Sequence, residues 1–247
     1  LDIKLEKMKN AKINRTFIKD VVYEKLSNWI ITGYLEPETK ININEISQHL
    51  GTSRTPVREA LLRLENEGLI LSKANRWTIV APIDLESSLY TYSVVASLEM
   101  LALEQAFEKV DDYFIKDLEK INSKLDTAFK NADTMELLNH DNEFHDKIIY
   151  LSGNPEIPPI IHPLKKKIQR VELSFFKDND GKQNTYSEHI KIIEAMKDKN
   201  LNLAKEYLKK NWYNSINLVK EKTITKKILY KYIEAHPFNK MHFFFII

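Results

Sequence analysis

Two short constellations in this chain hold residue types able to do chemistry. The first is Asp141 with His145. Four residues apart on a helix, a carboxylate and an imidazole point the same way. Together they make half of a site for a transition metal. The same spacing also describes an ordinary ion pair on a helix surface. The second is the run Ser53-Arg54-Thr55-Pro56-Val57-Arg58. Its two guanidiniums share one helix face, and hydroxyls beside the unpaired backbone N–H groups of a helix start suit phosphate oxygens. Arginine can also grip a guanine edge through two parallel hydrogen bonds. Isolated arginines are more often solvated surface charges, so the surrounding elements decide between these readings.

Around the arginines the pattern is compact. Phe17, Val21, Val22, Leu26, Trp29 and Ile30 recur at helical spacing and predict a first helix that stops near Gly33, with Pro37 beyond. Asn44 is the expected N-cap of a second helix that turns Ile46 and Leu50 inward, and Gly51 permits the turn that follows. Thr55 as cap and Pro56 at the first helical position predict a third helix, with Leu61, Leu62 and Leu64 as its core contacts and Gly68 as its end. Ile70 to Lys73 and Trp77 to Val80 read as two short strands with Ala74, Asn75 and Arg76 at their tip.

From Asp84 the pattern is helical almost throughout. Helices are expected near 85–108, 112–131, 134–152, 157–177, 185–198 and 201–221, separated by breaks such as Gly153-Asn154-Pro155. Each has an apolar stripe, which predicts an antiparallel all-α bundle. The fold class is therefore mainly α. A flexible arm (1–16) leads into a helical head with a small β-wing (17–82), a helical body (83–222) and a C-terminal tail of unassigned role (223–247). His140 and His162 read as surface or loop residues, Lys165-Lys166-Lys167-Arg170 as a solvated helix face, and Tyr186, Trp212 and Tyr213 as core or pocket lining.

Composition narrows the function. The chain has no cysteine, which excludes disulfides, iron–sulfur clusters and thiolate chemistry and fits a reducing cytoplasm. Five glycines leave little material for the phosphate loops of dinucleotide or nucleotide folds. No apolar run nears the roughly 20 residues that span a bilayer, and no secretory signal leads the chain. Residues 1–83 hold 13 Lys+Arg against 10 Asp+Glu, while residues 84–222 hold 20 against 24. A basic front on an acidic body matches a nucleic-acid-binding head joined to a body with another task.

The stretch EISQHLGTSRTPVREALLRLENEGLILSKANRWTIV, residues 45–80, resembles the winged helix-turn-helix of GntR-family bacterial transcription regulators. Turn, SRTPVREAL helix start, LENEGLI exit and wing occur in order. The resemblance implies contacts to a double-stranded DNA operator from Ser53, Arg54, Thr55 and Arg58 and from the wing tip, Asn75 and Arg76. Trp77 departs from the family, whose wings usually carry a small residue or glycine near this position.

The second half resembles the all-helical FCD ligand-binding domain of the FadR subfamily, through Asp141-Asn142-Glu143-Phe144-His145, Ser152–Pro155 and Glu188-His189. That resemblance implies a divalent metal, zinc or nickel, on Asp141, His145 and His189. The family's further histidine on the last helix is replaced by Asn211, a weak ligand or an effector hydrogen-bonder. An arginine that the family often uses on its first body helix is replaced by Val95. The implied protein is a cytoplasmic bacterial homodimer, most simply a repressor, answering to a small effector such as an organic or sugar acid. A metal-free pocket, a sensor of the metal itself and, more distantly, a metal-dependent hydrolase are the alternatives.

Overall fold

The computed structural model describes residues 17–73, 77–175 and 184–235, with side chains of the last helix as far as Thr225. The chain parts into two compact units at Ala81–Pro82.

The head begins with α1 (Ile18–Ile31), and Gly33 follows at φ +77°, the left-handed turn that glycine tolerates. Its buried face is Val22, Tyr23, Leu26 and Ile30, whereas Phe17 and Val21 are exposed, so the inward stripe lies one step round from the expected one. Helix α2 (Ile43–His49) is capped by Asn42 and not by Asn44. Asn42 Oδ1 accepts from the Asn44 N–H at 3.0 Å and its Nδ2 donates to Glu45 at 2.7 Å. Helix α3 (Arg54–Asn66) starts two residues earlier than expected. Ser53 is its N-cap, and Thr55 and Pro56 fall at its second and third positions, where proline's missing N–H is harmless. Val57, Ala60, Leu61 and Leu64 face the core, while Leu62 is exposed, contrary to expectation. The Tyr23 hydroxyl donates to Glu67 at 2.7 Å and Arg63 lies 3.6 Å over the Tyr23 ring, which locks α3 onto α1. Burial first, then the Glu67 carboxylate, pushes the Tyr23 hydroxyl well above its ordinary pKa.

Strands β1 (Ile70–Lys73) and β2 (Trp77–Val80) pair antiparallel, Ile70 opposite Val80 and Lys73 opposite Trp77. The segment between α1 and α2 adds an edge that the sequence pattern did not suggest. Ile41 N–H donates to Thr78 O at 2.8 Å, Val80 N–H to Thr39 O at 2.9 Å, and Lys40 bridges to Ile79.

The body is a helical bundle of α4 (Leu85–Ala106), α5 (Asp112–Lys130), α6 (Thr134–Ser152), α7 (Ile157–Phe175), α8 (Thr185–Lys197) and α9 (Leu201–Ala235). Aspartates cap three starts: Asp84 for α4, Asp111 for α5 and Asp133 for α6. Helix α4 is central, against α6, α7 and α9, while α5 packs on α6 and α8. Helix α9 runs to Ala235, well past the expected end near 221 and into the segment set apart as a tail. Residues 236–247 lie outside the described residues. Among the described residues no helix is long and apolar enough to cross a membrane.

Candidate nucleic-acid interface and metal centre

In the head, packing determines which side chains remain outside. Once α3 commits Val57, Ala60, Leu61 and Leu64 to the core, Arg54, Thr55 and Arg58 are left on the opposite face, exposed. Ser53 is exposed as well, and its hydroxyl makes no capping bond. Arg54 and Arg58 share a groove of about 780 Å³ with Lys40, Asn42, Asn44, Glu45, Lys73 and Trp77. Four cations against one carboxylate give that groove a positive field suited to phosphates. Asn75 and Arg76 lie outside the described residues.

In the body, the candidate ligands are brought together from two helices. Asp141 and His145 sit on α6 and His189 on α8, with one donor atom from each lying within 4.8 Å of the other two. Asp141 Oδ1 is 3.4 Å from His189 Nε2 and 4.0 Å from His145 Nε2. Donors about 2.1 Å from a tetrahedral ion stand roughly 3.4 Å apart, so the first pair is at bonding separation and the second must close by about half an ångström. Both imidazoles are buried, His145 at 2% and His189 at 0% exposure.

The other nitrogen of each ring is occupied. His145 Nδ1 lies 2.7 Å from Glu99 Oε2 on α4, and His189 Nδ1 lies 3.2 Å from Asn122 Oδ1 on α5. Both partners are oxygen acceptors: Glu99 also receives the Trp212 indole N–H at 2.8 Å, and Asn122 directs its own Nδ2 to Tyr186 O at 3.0 Å. Each ring therefore donates from Nδ1 to its acceptor and turns Nε2 toward Asp141, the arrangement that presets imidazole for a metal. Phe144 stacks on His189 at 3.8 Å and 5°, which fixes the ring plane. Burial disfavours charge on Glu99. The His145 imidazole overcomes it, and Lys165 and the Trp212 N–H add to hold the carboxyl below its ordinary pKa.

No motif in the sequence singles out Glu99, Asn122 or the contact from Trp212. The signal was present: Glu99 falls on the inward line of α4 with Tyr92, Val95 and Ala102, where an apolar residue is expected. Val95 is fully buried in the apolar core, and it is Glu99, one turn on, that turns a charge toward the ligands. Asn211 is buried and its Nδ2 donates to Glu188 at 2.7 Å. The lysine-rich run of α7 is not uniformly solvated. Lys165 is buried at 6%, donating to Asp146 at 2.5 Å and Asn142 O at 3.2 Å, and Arg170 is buried too, its pKa lowered to about 10 by burial. These two side chains point between helices, so a run that looks solvated is split between core and surface.

Comparison with known proteins places both units. Residues 18–80 match the family described as bacterial regulatory proteins, gntR family, and residues 90–212 match the FCD domain. The gluconate operon transcriptional repressor of Bacillus subtilis is 27% identical over 85% of this chain and 88% of its own length. The Nta operon transcriptional regulator of Aminobacter aminovorans is 26% identical over 68% of this chain and 79% of its own. The solved structure of Escherichia coli McbR/YncC superimposes with a TM-score of 0.74 at 19% identity, covering 85% of this chain and all of that one, which shows a shared fold. The chain is a DNA-binding transcription regulator and not an enzyme, and with a gntR head followed by an FCD domain it belongs to the GntR family of bacterial regulators, in the FadR-type, FCD-bearing branch.

Proposed function

We propose that this regulator is a cytoplasmic, homodimeric repressor whose grip on its operator is set by a small hydroxy-acid effector bound through a divalent metal in the body. One observation carries the reading: two buried imidazoles, each tied through Nδ1, turn Nε2 toward a single carboxylate. The donor set of two nitrogens and one oxygen fits zinc or nickel. Three protein ligands leave coordination positions for oxygen donors, and a bound ion would supply Lewis acidity toward a carboxylate and its neighbouring hydroxyl. With Val95 in place of a cation, the ion becomes the main anchor for such an acid. The relative named for a gluconate operon makes sugar acids the first class to try.

A homodimer suits operators with two half-sites. Tyr90, Val94 and Leu101 support it, since they fall within a narrow stripe along α4 and are all exposed. Coupling requires that effector and operator favour different states of the dimer. His145→Ala should blunt the response of operator binding to zinc plus a panel of organic and sugar acids while leaving duplex affinity intact. Loss of both would make His145 a structural residue. A response to zinc alone, unchanged by any acid, would favour the metal itself as effector.

A further inference from the structure

The wing carries one side chain that neither the arginines nor the body explains. We propose that Trp77 is a DNA-backbone contact, its indole lying against the sugar–phosphate strand beside the groove entered by α3. The proposal rests on the head's role in binding DNA. Tryptophan is normally well buried, yet Trp77 is 41% exposed and stands outside the head's apolar core. It opens β2 directly opposite Lys73, and it lines the same groove as Lys40, Arg54 and Arg58. A neutral ring amid four cations adds nothing to the attraction of a polyanion. What it offers is an indole N–H, a donor with no acceptor character, and a flat apolar face. Phosphate oxygens and the C–H faces of deoxyribose match those two features in one strand. Single-stranded nucleic acid, by contrast, is held by stacking successive bases on several aromatics, and Trp77 is the one aromatic in this groove among the described residues.

A backbone contact by an uncharged group has a signature that separates it from its neighbours. It strengthens binding to every sequence alike. It also leaves the salt dependence unchanged, whereas loss of a lysine from a phosphate lowers the log–log salt slope by about one. The full-length protein should be titrated at several salt concentrations with two labelled duplexes, one enriched from a random-sequence library on wild-type protein and one unrelated. Trp77→Ala should bind both about tenfold more weakly, a hydrogen bond and a buried ring face being lost, with the slope unchanged. Trp77→Phe, which keeps a ring face but loses the N–H, should fall between. Lys73→Ala should reduce the slope. Of the three tryptophans in the chain, Trp77 should account for the intrinsic-fluorescence change on adding duplex, so that change should vanish in Trp77→Ala. Wild-type affinity and an unaltered fluorescence change in Trp77→Ala would overturn the proposal alone. A loss confined to the enriched duplex would overturn it too, by making Trp77 a base reader. Wild-type protein that binds neither duplex would sink the head's role and this contact with it.

Discussion

The head and the body place their functional side chains by opposite means. In the head, Ser53, Arg54, Thr55 and Arg58 come from one short run and stay exposed because their neighbours fill the core. In the body, Asp141, His145 and His189 are drawn from α6 and α8 and are held by Glu99 from α4, Asn122 from α5 and Trp212 from α9. An exposed contact surface needs only a stable helix beneath it. A buried polar site needs every hydrogen bond satisfied by some other element, because an unpaired polar group away from water costs ~1–3 kcal/mol. The body site is thus bound up with the stability of the bundle, and the head's contacts are nearly independent of theirs.

Three substitutions test that contrast. The largest effect is expected from Glu99→Gln, which removes the buried carboxylate that faces His145, Lys165 and the Trp212 N–H and should destabilise the body by about 3 kcal/mol. The pH dependence follows from its lowered folded-state pKa. The charged form stabilises the fold above the ordinary value of 4.5, and that contribution fades as pH falls through the lowered value. Urea unfolding of wild type and variant should therefore differ most near neutrality and converge in acid; a gap that widens in acid contradicts this assignment. Arg58→Ala should leave unfolding unchanged and lower duplex affinity by ~1–3 kcal/mol. A drop in melting temperature as large as that of Glu99→Gln would erase the distinction between the two regions. Asn122→Ala should weaken zinc binding ~10–100-fold through the freed His189 Nδ1, with duplex affinity held when metal is absent. Unchanged zinc affinity would show that Asn122 merely packs.

How much of each region was legible in the sequence follows from the same contrast. The α3 run could be read because its residues are consecutive and their types match phosphate and base edges. Its start slipped by two residues because Ser53 and Thr55 both satisfy the preference for a cap. The third edge of the wing was hidden, since Thr39 to Ile41 has no alternating pattern and is placed by main-chain bonds to β2. In the body, the i,i+4 pair of α6 was visible, but its supports were not. Glu99 and Asn122 are single polar residues on otherwise apolar helix faces, and only the packing of α4 and α5 against α6 and α8 gives them partners. Lys165 and Arg170 misled for the mirror reason: four cations in six residues look like a wet face, yet these two point between helices.

If the buried imidazoles of the body are preset for a metal, the purified protein holds one. Protein purified without a histidine tag, saturated with zinc and freed of excess by gel filtration, should retain about one ion per chain by mass spectrometry, and His189→Ala should retain little. Wild-type protein that keeps no zinc or nickel, or a His189→Ala variant that keeps as much as wild type, would contradict it.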